Sequence, residues 1–371
     1  MPRSAASGAD RQLIEHAARH GAKVTARHLE RWRTAGLLAP NTRRALGRGR
    51  GSTSEPPPGA GDLVVWLARN ARPGRRPGDL VLLAFTEGLA VPEETVRAAF
   101  AAAIASIRLP VEAGMPPGAA PEDVADAAVA VGQRFTVVPA RIRRIDHALA
   151  QRGVNWSSPE IAAMDPGRFG EPPTAGDWAY TAVLAVLGGG ASLNMVTIGW
   201  LARMMAPGGV SPIAGQVEYR WPASPAEERA SAPDDDEVLA LLGDRDLRDQ
   251  ARDLAMTTPP AELRDAFQLA AGLPRWADGA CAAVEREIAA GQPGEAAREW
   301  ITSSFGVTRL LLAMALRAKD AGTASTAVTA VVLIMMRNML RSVRQIVPAW
   351  NADVLNNPLV APSFLADFLN R

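Results

Sequence analysis

Two arginines four residues apart, Arg27 and Arg31, lie in a short segment over 25–35 whose pattern is that of an amphipathic helix. At 100° per residue, Leu29 and Trp32 fall on one face of this helix and the two arginines fall on the other. Like charges at this spacing repel each other by about 0.2–0.5 kcal/mol, a cost that a bound polyanion would remove. Because the guanidinium fork suits phosphates and guanine edges, the pattern predicts a helix that binds the major groove of double-stranded DNA.

The sequence specifies both ends of this helix. Thr25 can accept a hydrogen bond from a first-turn amide through its hydroxyl. Gly36 stands where a left-handed residue ends a helix, and Leu37 and Leu38 can close that end with apolar contacts. Pro40 prevents the helix from continuing. A short helix with two fixed ends is therefore expected.

Arginine alternates with glycine shortly after this helix, in a basic segment over 43–54. Glycine lets the backbone approach another molecule closely, and the arginines with the Ser and Thr hydroxyls supply phosphate donors. The segment is compatible with a disordered linker, but its place after the helix pair favours a short hairpin that reaches the DNA backbone or minor groove. Its arginines are Arg43, Arg44, Arg48 and Arg50.

The positive charge of the chain is concentrated near its N-terminus. Residues 1–76 hold 15 Lys and Arg against 5 Asp and Glu, whereas the other 295 residues hold 25 against 34. The net charge of +1 hides this asymmetry, which predicts a module for a polyanion joined to a larger part of different character. Codon bias can explain why all but two of the 40 cationic residues are arginine, but it does not explain their clustering.

These features resemble the N-terminal winged-helix domain of MerR-like transcription regulators over about residues 10–90. That family has a first helix, a tight turn, a second helix with the pattern x-R-x-L-R-Y-Y-x-x-x-G-L-L-x-P, a basic wing and further helices. Glu30 stands where the family usually has arginine, and Arg31 replaces the first aromatic residue. The matching residues are Arg27, Leu29, Trp32, Gly36, Leu37, Leu38 and Pro40.

The resemblance implies a DNA-binding regulator with a recognition helix over 25–35 and a wing over 43–54. Such regulators are usually dimers joined by a long helix after the winged domain. The helix expected over 92–108 has apolar spacing that suits either such a dimer contact or a core position. We therefore expect a homodimer that binds double-stranded DNA. The predicted DNA-binding residues are Thr25, Arg27, His28, Arg31, Arg43, Arg44, Arg48 and Arg50.

The fold class expected is mainly α, with an N-terminal winged helix-turn-helix domain followed by an all-helical C-terminal region. Strand alternation is rare, and apolar residues recur at helical spacing through most of the chain. The expected organisation is a tail over 1–9, the winged domain with its trailing helices over 10–108, a linker over 109–121, a helical domain over 122–205, a loop over 206–234 and a helical domain over 235–371. Within the two helical domains the sequence predicts a helical stretch over about 122–152 and helices over about 235–256, 259–271 and 274–290.

No pattern typical of catalysis or of a resident cofactor accompanies the basic domain. Cys281 is the single cysteine, the four histidines are scattered, and no phosphate-binding loop or nucleophile elbow occurs. We therefore expect neither a metal, nor a cofactor, nor an enzyme. The aromatic residues between Trp178 and Trp221 suggest where a small-molecule effector could bind.

Two apolar stretches are candidates for a membrane span by their composition. The 25 uncharged residues from Trp178 to Ala202 contain three consecutive glycines, and the run from Thr323 to Met336 covers only 14 residues. Both are interpreted as core helices, and the chain is expected in the cytoplasm.

Three other functions are compatible with the same basic domain. The first is an architectural nucleoid or segregation protein that binds DNA without a promoter-specific role. The second is an enzyme whose helical catalytic domain has no recognisable motif. The third is a membrane-tethered regulator, which would fractionate with membranes. A site-selective footprint would separate the regulator from the architectural protein.

Overall fold

The computed structural model describes residues 6–45, 52–134, 138–156, 158–164, 174–210, 240–291, 294–302, 306–346 and 356–371. These residues are mainly helical, which confirms the mainly α character that the sequence predicts, and two short strands form one antiparallel pair. The N-terminal elements are α1 (Gly8–Arg19), α2 (Ala26–Thr34), β1 (Thr42–Ala45), β2 (Ser52–Glu55), α3 (Ala60–Asn70), α4 (Pro77–Thr86) and α5 (Glu93–Ala105).

The middle of the chain contains shorter helices than the sequence suggested. The helix expected over 122–152 is two helices, because a 3-10 turn at Gly132–Arg134 and Pro139 separate them. The backbone at Gly132 also lies close to the backbone at Gly176, so that a Cβ atom at Gly132 would be 2.9 Å from the Gly176 Cα. These helices are α6 (Pro121–Val131), α7 (Ala140–Gln151), α8 (Pro159–Met164), α9 (Ala175–Gly188) and α10 (Met195–Met205).

Two boundaries in the C-terminal region differ from the expectation. The helix expected over 235–256 is described from residue 240, and it is interrupted before Leu247. Gly243 adopts a φ of +68° in this interruption, and the Asp246 side chain caps the helix that follows. No break follows residue 271, since Pro274 lies inside one continuous helix. The helices are α11 (Leu247–Thr257), α12 (Pro260–Ala290), α13 (Glu295–Thr302), α14 (Gly306–Ile346, kinked at Gly322) and α15 (Ser363–Asn370).

One hydrophobic core joins the N-terminal helices to the C-terminal ones. It contains buried residues of α1 to α5 and α7 together with residues of α11 to α15. Phe100 of α5 lies at its centre, packed edge-on against Phe85 of α4 at 6.3 Å and against Phe267 of α12 at 6.2 Å between ring centroids. The apolar residues of α5 that could have formed a dimer seam are therefore buried within the same chain.

Polar contacts reinforce this junction at the ends of helices. Arg97 of α5 donates hydrogen bonds to the carbonyl oxygens of Ala255 and Met256 at the end of α11, at 3.0 and 2.6 Å. Arg264 of α12 donates to the carbonyl of Phe85 at 2.9 Å and lies over its ring. Cations at the carboxyl ends of helices satisfy unpaired carbonyl groups and complement the helix dipole.

A second, smaller core lies among α6, α9 and α10. Val124, Ala128, Trp178 and Val183 are buried in it, and Val111 from the segment before α6 also contributes. The segment over 109–121, expected as a linker, is thus packed in place. Its Glu112 also accepts a hydrogen bond from Arg248 at 2.7 Å.

The structure describes the end of the predicted tail over 1–9 and only the first residues of the predicted loop over 206–234. The tail expected over 1–9 overlaps the start of α1, because the Ser7 side chain accepts a hydrogen bond from the Asp10 amide and Ala9 is fully buried. The loop expected over 206–234 lies, beyond residue 210, outside the described residues.

One helical stretch among the described residues, Gly322–Gln345, has the length and apolar composition of a membrane span, with a mean hydropathy of 1.4. Half of its most apolar window is buried inside the chain, and the helix that contains it packs along α12. A buried core helix has the same composition, so this feature alone does not assign the chain to a membrane. The stretch from Trp178 to Ala202 is divided between α9 and α10.

Candidate nucleic-acid interface

Helices α1 and α2 pack through their apolar faces and leave the opposite face of α2 in solvent. Leu13 and Ala17 of α1 are buried with Leu29 and Trp32 of α2, and Leu29 is fully inaccessible. The two helices are joined through Gly21, which adopts a φ of +71°. Burial of one large apolar side chain contributes about 1.5–3 kcal/mol, so Leu29 and Trp32 fix which face of α2 points outward.

Both ends of α2 are formed as the sequence predicts. The Thr25 hydroxyl accepts a hydrogen bond from the His28 amide at 3.4 Å, so Thr25 acts as N-cap. At the other end Gly36 has a φ of +71°, and the Leu37 amide donates to the Trp32 carbonyl at 2.8 Å. These contacts hold α2 to nine residues, Ala26–Thr34.

The outward face of α2 carries the two arginines singled out in the sequence. Arg27 and Arg31 are exposed, and Glu30 and Thr34 share their face. No described residue forms an ion pair with either arginine. Both guanidinium groups are therefore available to an external partner.

Arg33 has a different role, although it belongs to the same helix. Its guanidinium donates to the Asp10 carboxylate of α1 at 2.6 Å and to the Asn41 amide oxygen at 2.9 Å. Burial of Asp10 acts to raise its pKa, but hydrogen bonds from Arg33, Ser7 and Asn41 outweigh it, and the pKa of Asp10 is lowered. This cluster ties α1, α2 and the start of the hairpin together.

His28, another predicted contact, lies at the edge of the exposed face. It is half-buried and stacks on Trp32, with 5.8 Å between ring centroids. Thr25, in contrast, is exposed while its hydroxyl caps α2. The hydroxyl of Thr25 and the ring of His28 thus have contacts inside the chain.

The basic segment forms the short hairpin that the sequence suggested. Arg43 pairs with Ser54 and Arg44 with Thr53 in the antiparallel register, and both arginines are exposed. Successive residues of a strand point to opposite faces, so the two arginines extend from different sides of the hairpin. Arg48 and Arg50 lie outside the described residues.

A second group of arginines, absent from the predicted site, lies in the last turn of α3 and in the turn that leads to α4. The group comprises Arg69, Arg72, Arg75 and Arg76, all of them exposed. Arg69 donates to the carbonyl of His20 at 3.0 Å, which brings this turn next to the α1–α2 turn. The signal available in the sequence is four arginines within eight residues, set around two Pro-Gly pairs.

The exposed arginines of α2, of the hairpin and of the α3–α4 turn thus belong to one packed unit. They are Arg27, Arg31, Arg43, Arg44, Arg69, Arg72, Arg75 and Arg76. Exposed arginines can neutralise the phosphates of a nucleic acid, and the two guanidinium groups on the outward face of α2 can bind guanine edges.

A separate cleft of about 770 Å³ lies between the end of α5 and the start of α11. Arg248 lines this cleft, and its guanidinium pairs with the carboxylates of Asp246 at 2.6 Å and Glu112 at 2.7 Å. The hydrogen bonds to Asp246, and next those to Glu112, raise the pKa of Arg248. Arg108 also lines the cleft and donates to carbonyl oxygens at the end of α5. The volume suits a small ligand.

The region first expected to hold an effector is only partly described. Trp178 is buried in the second core, whereas Trp221 lies outside the described residues. Cys281 is fully buried, and burial raises the pKa of its thiol to about 11. Within the described part of the chain, no cluster of three or more His, Cys, Asp or Glu side chains could hold a metal ion.

Comparison of the chain with protein-family models, with curated proteins and with solved structures found no match in any of the three.

Proposed function

We propose that this chain is a DNA-binding transcriptional regulator whose N-terminal unit is a MerR-like winged helix-turn-helix domain. In this proposal α2 is the recognition helix in the major groove and the β1–β2 hairpin is the wing. The observation that carries it is the outward face of α2, where Arg27 and Arg31 are exposed on a helix fixed from behind by Leu29 and Trp32.

The arrangement around α2 supports the same function. A helix of nine residues can enter the major groove only if its neighbours stay clear of the groove walls. The hairpin and the α3–α4 turn follow α2 in the chain and carry exposed arginines, which suits contact with the phosphates on either side of a groove. The proposed groove contacts are Arg27 and Arg31, and the hairpin arginines are the proposed wing contacts.

The C-terminal helical region is proposed to sense an effector or to form the homodimer. The cleft beside Arg108 supports an effector, because it adjoins α5, whose N-terminal turn contacts the end of α2. There, a Cβ atom at Gly36 would lie 3.2 Å from the Thr95 side chain. A ligand at one end of α5 could thus shift the recognition helix at the other. We propose a cytoplasmic protein.

The test is binding of the full chain to its own upstream DNA and to scrambled DNA over a salt series. We expect log K to fall with log salt by about 0.9 for each phosphate neutralised, or about 3.6 for four arginine contacts. A regulator should prefer its own DNA by about a thousandfold or more. Equal affinity for both DNAs would favour the architectural alternative, and no binding would refute the proposal.

A further inference from the structure

Glu30 places a carboxylate on the outward face of α2, beside Arg27 and Arg31. At 100° per residue Arg27, Glu30, Arg31 and Thr34 occupy one sector of about 100°, opposite Leu29. Glu30 is exposed, and it lies one turn from Arg27, a spacing at which opposite charges commonly pair. No described residue forms an ion pair with it. A carboxylate that neutralised its neighbouring arginines would be expected to contact them.

An unpaired carboxylate in this place opposes binding to a phosphate backbone. It repels the phosphates and reduces the attraction that Arg27 and Arg31 provide. The hydrogen-bond partners that a carboxylate can use in the major groove are the amino groups of cytosine and adenine. Adenine N6 is flanked by acceptors, N7 on its own ring and O4 of the paired thymine, whereas cytosine N4 has an acceptor on one side only.

We propose that Glu30 is a specificity-determining residue, which accepts a hydrogen bond from N4 of a cytosine in the major groove. Arg27, one helical turn away, would then bind O6 and N7 of a guanine within one or two base pairs of that cytosine. The inference rests on the proposed function and adds to it a preference for a site that contains both bases.

The experiment uses the full chain and a pool of DNA duplexes with a randomised segment. After selection by the wild-type protein, dissociation constants are measured for the enriched duplex and for duplexes with each base replaced in turn. The same set is measured for Glu30→Ala, for Glu30→Gln and for the control Glu15→Gln. Glu15 is exposed on α1, so the control removes the same charge from outside the outward face of α2.

For the wild-type protein, replacement of one cytosine should weaken binding about tenfold. Glu30→Ala should lose this discrimination and bind random DNA more tightly, because a negative charge has been removed. Glu30→Gln should prefer adenine at the same position, since a carboxamide can both donate to N7 and accept from N6. Glu15→Gln should keep the preference for cytosine.

Two outcomes would overturn the inference and leave the proposed function intact. In the first, Glu30→Ala keeps the wild-type preference at every position. In the second, the wild-type protein selects a sequence without a discriminating cytosine. If the wild-type protein binds no DNA in any condition, the proposed function itself fails, and the role of Glu30 fails with it.

Discussion

Replacement of Gly36 by alanine tests how the structure positions the end of α2. Gly36 has a φ of +71°, and a Cβ atom added there would lie 3.2 Å from both Oγ1 and Cγ2 of Thr95. Two separate costs are therefore expected. The left-handed conformation costs an L-residue about 1–2 kcal/mol, and crowding of a packed contact adds about 1 kcal/mol or more. Alanine also restricts the unfolded chain, which offsets about 0.4–1 kcal/mol.

Gly21 supplies a matched control for the backbone cost. It has the same φ of +71°, but a Cβ atom at Gly21 would meet nothing within 4 Å. We expect Gly21→Ala to lower the free energy of unfolding by about 1 kcal/mol and Gly36→Ala to lower it by about 2 kcal/mol. In the double variant Gly36→Ala with Thr95→Ala, relief of the crowding should make the two changes non-additive.

The assay is urea unfolding followed by circular dichroism, with the midpoint compared at an unchanged slope. Equal losses for Gly21→Ala and Gly36→Ala, with additive behaviour of the Thr95 change, would refute the close approach of α5 to the end of α2. If neither glycine variant loses stability, the left-handed conformations assigned to both positions are wrong.

Three further predictions concern the rest of the chain. Asp10→Asn should lower the free energy of unfolding by about 1–2 kcal/mol at neutral pH, measured in urea. Because the pKa of Asp10 is lowered from 3.8, this difference should shrink as pH falls from 3.8 through the lower pKa of the folded protein, and a difference that does not depend on pH would contradict the Arg33 pairing. Cys281 should resist a thiol reagent at about pH 8 until urea unfolds the chain, since it is fully buried with a thiol pKa of about 11; rapid labelling of the native protein would contradict this burial. A fragment of residues 1–108 should show a less cooperative thermal transition than the full chain, because it loses the helices that cover Phe100; a sharp transition in the fragment would contradict the shared core.

Local signals made α2 predictable from the sequence. Thr25 and Gly36 act within one turn of the helix ends, and the positions of Leu29 and Trp32 determine which face is buried. The hairpin was predictable for a similar reason, because its two strands are separated by only a few residues rich in glycine. Interactions between neighbours in the chain need no knowledge of the tertiary fold.

Contacts between segments that are distant in the chain account for the differences between the predicted and the observed structure. Glu112 is held by Arg248, 136 residues away, so composition alone suggested a linker where the chain is packed. The apolar spacing of α5 fits a dimer contact as well as a core position. The packing of Phe100 against Phe267, far along the chain, assigns Phe100 to the core of the same chain. Arg33 is likewise engaged by Asp10, while Arg27 and Arg31 on the same helix are exposed.

If the outward face of α2 binds DNA, loss of its two arginines should weaken binding more than loss of two arginines elsewhere in the chain. The full chain carrying Arg27→Ala with Arg31→Ala is compared with a charge-matched control carrying Arg275→Ala with Arg286→Ala, two exposed arginines of α12. Binding of both proteins to the preferred duplex and to random DNA is measured at one salt concentration by fluorescence anisotropy.

The α2 variant should lose at least about tenfold in affinity for the preferred duplex, and more there than on random DNA. The α12 control should bind as the wild-type protein does. Equal losses in the two variants would show that only total charge matters, and unchanged binding by the α2 variant would show that this face does not bind DNA.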